Sequence, residues 1–204
     1  MFKRILIANR GEIACRIART CQRLGIEYVA VHSLADAGSA HLSGAARTVC
    51  LGAGAAAESY LNSGKLLQAA GETSCEAVHP GYGFLSENSE FAASVEATGM
   101  AFIGPSPATI AALGDKARAK ALMRAAGVPV VPGTDEASDN PATIEALARA
   151  IELPVLLKPS AGGGGKGMQI ITRYEDLPRL IESAIRLARS SFGDGRMIVE
   201  LSLI

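Results

Sequence analysis

The stretch RILIANRGEIACRIARTCQRLGIEYVAV, residues Arg4–Val31, decides the fold. Arg4-Ile5-Leu6-Ile7-Ala8 is a short apolar run stopped by Asn9-Arg10-Gly11, the pattern of a buried strand that ends in a turn. From Glu12 to Leu24 the apolar residues Ile13, Ile17 and Leu24 recur at helical spacing, with Cys21 on the same face. Gly25 follows directly, where a glycine can close a helix in the left-handed conformation. Tyr28-Val29-Ala30-Val31 then gives a second apolar run, bounded by His32-Ser33. Strand, helix and strand in that order form the βαβ unit of a parallel sheet, because parallel neighbours need a long crossover.

Outward from this unit the alternation continues. Ala46 to Leu51 reads as a strand, Lys65 to Ala70 as the middle of a helix, and Ala77-Val78 as a strand before His79-Pro80-Gly81-Tyr82-Gly83. A helix is predicted from Glu87 to Thr98 with Ser86 as its N-cap, then a strand at Met100 to Ile103 stopped by Gly104-Pro105. The expectation is a doubly wound, Rossmann-like α/β domain over residues 1–113. Residues 106–127 look helical with a break at Gly114-Asp115, so 114–128 is read as a helical linker, and Val131 to Pro141 as an open connection. Beyond lie a helix (Thr143 to Ala150), strands at Val155 to Lys158 and Met168 to Thr172, a helix (Leu177 to Ser190) and a strand at Met197 to Val199. That rhythm predicts a second, smaller α+β domain over 129–204.

Composition excludes several classes. The 204 residues carry 20 Lys+Arg against 20 Asp+Glu, which removes the long-range attraction that nucleic acid or an anionic membrane would need. Nine aromatics and no Trp argue against a base-stacking surface. No apolar run is long enough to span a bilayer, and the N-terminus lacks a signal-length apolar stretch. Cys15, Cys21, Cys50 and Cys75 form no CxxC pair, so they read as reduced, mostly buried thiols of a cytoplasmic protein.

Gly162-Gly163-Gly164-Gly165-Lys166-Gly167 carries the strongest chemical signal. It contains GxGxxG, yet Met168-Gln169-Ile170-Ile171 follows as a strand, whereas a dinucleotide fingerprint must open a helix. A Walker A loop fails as well, with Ser160 at its first glycine and Gly167 at its Ser/Thr. What remains is a glycine hairpin preceded by Lys158. Its backbone can approach an anion closely while the lysine adds a cation, so a phosphate cradle is preferred over a merely flexible turn. Asn9-Arg10-Gly11-Glu12 lacks the three-glycine fingerprint and is read as a structural turn. No second histidine or cysteine stands near His79, His32 or His41 at ligand spacing, so no metal site is expected and His79 is taken as hydrogen-bonded and structural. Asp115, Glu152, Glu175 and Asp176 are taken as solvated.

Together these motifs resemble the biotin carboxylase family of the ATP-grasp superfamily. The matching pieces are Ile7 to Ala14, Tyr60-Leu61-Asn62, His79 to Asn88, Phe102-Ile103-Gly104-Pro105, Gly114-Asp115-Lys116, Ala126-Gly127-Val128-Pro129 and Leu157-Lys158 through Met168. They cover nearly the whole chain, and His-Pro-Gly-Tyr-Gly-Phe-Leu-Ser-Glu-Asn is highly specific. The resemblance implies a Rossmann-like pre-ATP-grasp domain, a small ATP-grasp lobe and a large lobe that this chain lacks. It implies ATP phosphates on Lys116 and Lys158, a loop from Gly162 to Gly167 closing over them with Gly164 and Gly165 closest, and a basic Lys166. It implies an adenine-contacting hinge that starts at Glu200 and, here, continues through Leu201 and Leu203. Where the family has a basic residue and an aromatic after the glutamate, this chain has Leu201-Ser202-Leu203-Ile204.

The implied reaction is ATP-dependent carboxylation of biotin by bicarbonate on a carrier domain, for transfer by a carboxyltransferase subunit. Mg²⁺ or Mn²⁺ would be held by the missing lobe, as would the catalytic base, so the isolated chain is expected to be inactive. The family homodimer uses the face of the first helix that carries Arg16 and Arg19, beside Arg23, and is expected to be weak here. A different ATP-grasp ligase, of the carbamoyl-phosphate or purine-pathway kind, or a non-catalytic nucleotide- or subunit-binding module are the alternatives.

Overall fold

In the computed structural model, which describes residues 1–203, β1 (Arg4–Ile7) lies in parallel between β2 (Glu27–His32) and β4 (Ala77–His79). With β3 (Arg47–Cys50) and β5 (Ala101–Phe102) the sheet order is β3-β2-β1-β4-β5, every pair parallel. Alternate side chains feed two cores. Leu6, Val29, Val31 and Val78 face one, together with Leu66 and Ala70 of α2 (Ser63–Glu72) and Phe91 and Val95 of α3 (Ser89–Ala97). Ile5, Ile7, Tyr28, Ala30 and Ala77 face the other, under α1 (Gly11–Leu24). A sheet covered on both faces needs strands that are apolar throughout, which is why β1 reads as a continuous run.

Local details correct several expectations. Gly25 does end α1, at φ +67°, with its N–H on Gln22 O at 3.2 Å and the Ile26 N–H on Cys21 O at 2.9 Å. Leu24, however, is exposed, and the buried stripe is Ile13, Ala14, Ile17, Ala18 and Cys21. The N-cap of α3 is Asn88, not Ser86: its carboxamide oxygen accepts the Phe91 N–H at 2.8 Å, while the Ser86 N–H closes a turn onto Gly83 O. Only Cys21 and Cys75 are buried, since Cys15 is partly covered and Cys50 sits exposed on edge strand β3; all four thiols are free.

The chain divides into two compact units, Met1–Ala111 and the residues from Ala112 onward, the boundary falling inside α4 (Pro107–Gly114). The second unit holds α5 (Lys116–Ala125), α6 (Pro141–Arg149), β6 (Val155–Pro159), β7 (Gln169–Ile171), α7 (Leu177–Phe192) and β8 (Met197–Leu201). Its sheet is antiparallel in the order β7-β6-β8. Ile144 and Ala148 of α6 and Ile181, Ala184 and Ala188 of α7 pack against Val155, Leu157, Met197 and Val199.

The segment read as an open connection is a broken edge strand. Thr134 N–H bonds Val199 O at 2.8 Å, Ser138 and Met197 exchange both backbone bonds, and the Leu201 N–H reaches Pro132 O at 2.8 Å. Pro132 and Gly133 interrupt the apolar alternation by which a strand is recognised. Among the described residues no helix is long and apolar enough to cross a membrane.

Candidate functional site

The site grows from the alternation of β6. Val155, Leu157 and Pro159 are buried in the core, so Leu156 and Lys158 occupy the opposite face. On neighbouring β8, Met197 and Val199 join that core, which places Ile198 and Glu200 on the same face as Lys158. The antiparallel register sets Lys158 opposite Ile198 and Leu156 opposite Glu200, making Lys158 and Glu200 diagonal neighbours within reach of long side chains. Lys158 Nζ accordingly donates to Glu200 Oε2.

The second oxygen of Glu200 faces a cation that nothing in the sequence singles out. Lys120 Nζ, from α5, lies 3.2 Å from Glu200 Oε1, with side-chain exposures of 6% and 9%. Burial pushes the Glu200 carboxyl up, but the hydrogen bond from Lys158 and the charges of Lys158 and Lys120 outweigh it and hold the group below its ordinary value. A buried carboxylate between two ammonium groups is therefore ionised at neutral pH.

Next along the chain, Ser160 ties the end of β6 to the start of α5. Asp115 accepts the Arg118 N–H at 3.0 Å as N-cap and the Ser160 hydroxyl at 3.1 Å, while the Lys116 N–H donates to Ser160 O at 3.1 Å. Asp115 is thus a joint between two elements rather than a solvated face. This joint places Lys116, the first residue of α5, beside the glycine loop, where its ammonium donates to the Gly162 carbonyl. Lys116, Gly162 to Gly165 and Lys166 line a cleft of about 70 Å³. Complete small-molecule sites run to roughly 300–1,000 Å³, so this cleft is one wall of a site rather than an enclosure.

Two glycines of the loop have distinct reasons to lack a side chain. Gly162 has φ +82°, and a Cβ there would meet the Phe192 ring at 2.4 Å. Gly164 has φ +68° and open space around its Cβ position, so its backbone is the one an incoming group can approach.

Of the residues expected in the site, the structure gathers Lys116, Gly162, Gly163, Gly164, Gly165 and Lys166 at the cleft, with Lys166 exposed and Gly167 buried against Pro159. Lys158 is not in the cleft wall: its ammonium is turned to Glu200. Leu201 ends β8 half-buried and Leu203 is exposed. Lys120 escaped the sequence reading because a lysine on an amphipathic helix looks solvated, and its partner lies 80 positions away (200 minus 120).

In the first unit two other matched segments, Ile7 to Ala14 and His79 to Asn88, meet at the carboxyl ends of β1 and β4. Asn9, 3% exposed, donates to Pro80 O and Tyr82 O at 2.8 Å each, and His79 Nδ1 accepts the Gly81 N–H at 3.0 Å. Burial, then the nearby Arg16 charge, lowers the His79 pKa, which keeps the ring a neutral acceptor in that turn.

Residues 1–110 match the family model described as biotin carboxylase, N-terminal domain. The chain belongs to the biotin carboxylase family. Residues 115–204 match a second model, the ATP-binding domain of the carbamoyl-phosphate synthase L chain. The alpha subunit of mitochondrial methylcrotonoyl-CoA carboxylase from Oryza sativa is 50% identical over 198 residues, which cover 97% of this chain and 27% of that protein. The biotin carboxylase of Halalkalibacterium halodurans is 47% identical over 200 residues, 98% of this chain and 44% of that protein. The biotin carboxylase domain of Hydrogenobacter thermophilus 2-oxoglutarate carboxylase, solved as a dimer with MgADP, ADP and bicarbonate, superposes with a TM-score of 0.95 at 43% identity. That match covers all of this chain and 45% of the other. The chain therefore spans between about a quarter and a half of the length of these biotin carboxylase relatives.

Proposed function

We propose that this chain is the N-terminal part of an ATP-dependent biotin carboxylase and holds part of the nucleotide grip, as a Rossmann-like domain (1–113), a helical linker (114–128) and a small ATP-grasp lobe (129–204). The parent reaction joins bicarbonate, ATP and a biotinylated carrier domain to give carboxybiotin, ADP and phosphate, with a carboxyltransferase subunit as the next partner. The observation that carries the reading is the glycine loop flanked by Lys116 and Lys166, with Gly164 facing open space and Lys158 one step back on the adjoining strand.

In this reading Lys116 and Lys158 neutralise phosphate oxygens, and the loop amides orient them and exclude water. Backbone groups of Glu200, Leu201 and Leu203 form the edge toward the base. A divalent metal would supply charge neutralisation to the phosphoryl group. The described residues contain no group of three His, Cys, Asp or Glu that could hold one, so these residues do not fit a metal and no step is assigned through it. In this reading the chain by itself binds nucleotide and does no carboxylation. With one wall of the site in water, each exposed charge contact contributes only about 0–1 kcal/mol. Against an association cost of roughly 4 kcal/mol or more, the expected affinity is near millimolar or weaker. A lone family-type dimer through Arg16 and Arg19 is likewise expected to be weak.

The test is a nucleotide titration of the purified chain followed by NMR, with a parallel carboxylation assay using MgATP, bicarbonate and biotin. Shifts confined to the loop, Lys116 and Lys158, with no carboxybiotin formed, are expected. Shifts elsewhere, or carboxybiotin formed by the chain alone, refute the reading.

A further inference from the structure

Lys120 has a burial that the nucleotide reading leaves unexplained. Its side chain is 6% exposed, and its ammonium makes no aligned hydrogen bond among the described residues. The opposite charge beside it is Glu200 Oε1 at 3.2 Å; Asp135 also feels it, but is solvent-exposed and paired with Arg124. Glu200 meanwhile gives its other oxygen to Lys158, so two lysines share one carboxylate. Burying an ammonium is costly, and a helix offers solvent-facing positions where the same residue costs nothing.

We propose that Lys120 is a resident counter-ion: it keeps Glu200 neutralised when Lys158 leaves that carboxylate for the oxygens of an incoming polyphosphate. The inference rests on the phosphate-binding reading above and adds the residue that makes Lys158 transferable. With Lys158 as sole partner, its departure would strand a buried carboxylate, which is strongly unfavourable. With Lys120 in place, an opposing charge stays 3.2 Å away, and its unspent N–H donors can turn onto the oxygen that Lys158 vacates. The two lysines differ in the way this division of labour requires. The Lys158 side chain is 23% exposed and stands at the strand end next to the glycine loop, whereas Lys120 is sealed at 6%. Lys120 is thus a positioning residue, acting on the ligand only through Glu200 and Lys158.

The experiment uses the whole chain with ¹³C-labelled lysine, titrated with inorganic triphosphate and observed at the lysine Cε resonances. In wild type, triphosphate should shift Lys158 Cε strongly and Lys120 Cε, which stays beside Glu200, less. Lys120→Met should weaken triphosphate binding by about tenfold or more, and Lys120→Arg should restore it to within about threefold. The double variant Lys120→Met/Glu200→Met removes the anion that holds Lys158 back, so its affinity should return to the wild-type level or exceed it. That recovery separates the counter-ion role from a merely structural one and does not depend on the single variant folding well. If wild type shows no shift at Lys158, the phosphate reading fails and the inference with it. If wild type responds and Lys120→Met binds equally well, or the double variant remains as weak as the single one, the inference alone is overturned.

Discussion

Adding one methyl group at Gly162 or at Gly164 tests how the loop is built. Both have positive φ, +82° and +68°, so an alanine at either position carries a backbone penalty of about 1–2 kcal/mol. Only at Gly162 does the new Cβ collide, 2.4 to 2.6 Å from three atoms of the Phe192 ring. The half-buried ring, at the last residue of α7, must swing out and surrender packing, an overpacking cost of about 1–3 kcal/mol. Gly162→Ala is therefore expected to lose about 2–5 kcal/mol, and Gly164→Ala only about 1–2 kcal/mol. Because the chain has two compact units, the fitting assay is native-state amide exchange read at β6 and α7. Gly164→Ala should instead lower triphosphate affinity, since its methyl group occupies the open side from which an anion approaches. Equal exchange protection in the two variants would refute this account of the loop, as would unimpaired binding by Gly164→Ala.

Two further outcomes concern titration. Glu200→Gln leaves Lys120 and Lys158 facing each other without an anion and should cost about 3–5 kcal/mol at neutral pH. The folded Glu200 carboxyl lies below its ordinary value, so its contribution is complete above the unfolded-chain value and fades as pH falls through the folded one; the gap between wild type and variant in urea midpoint should close on acidification. Tyr60 tests the opposite sign. Burial, then its 2.7 Å hydrogen bond to Asp36, pushes its phenol from 10.0 to about 12, so the stability it gives is intact below the lower value and lost as pH rises through the upper one. Tyr60→Phe should lose about 1–2 kcal/mol at neutral pH yet show a flatter stability profile across that alkaline window; an unchanged slope would contradict the assignment.

The parallel sheet was legible because its signals are local. The run Ile5 to Ile7, the helical spacing of Ile13 and Ile17, and the stop at Gly25 each report on a few neighbouring residues. The glycine hairpin was legible for the same reason, since a strand rather than a helix follows Gly167. What escaped depends on partners far along the chain. Thr134 and Ser138 pair with β8 across some sixty residues, masked by Pro132 and Gly133. Asp115 looks solvated until Ser160 is brought beside it, and Lys120 until Glu200 is. Lys158 was correctly placed on the strand before the loop, but the diagonal register that turns its charge toward Glu200 emerges only when β6 and β8 are paired. Asn88 and Ser86 are both good N-caps by composition, and the turn from Gly83 to Asn88 decides between them.

The strand that carries Glu200 lies between β6 on one side and the 132–138 segment on the other, yet among the described residues it is made after the other strands of its sheet. On the ribosome, β6 and β7 emerge with their hairpin while the place of their inner neighbour is still empty. The first unit, whose strands all precede Ala111, can complete its own sheet by then, as amino-terminal domains generally do. The second unit has to wait for residues 197–201, and until they arrive the apolar faces of α6 and α7 have only half a sheet to cover. Nascent chains halted before β8 clears the exit tunnel should therefore be the ones that proteases and chaperones seize.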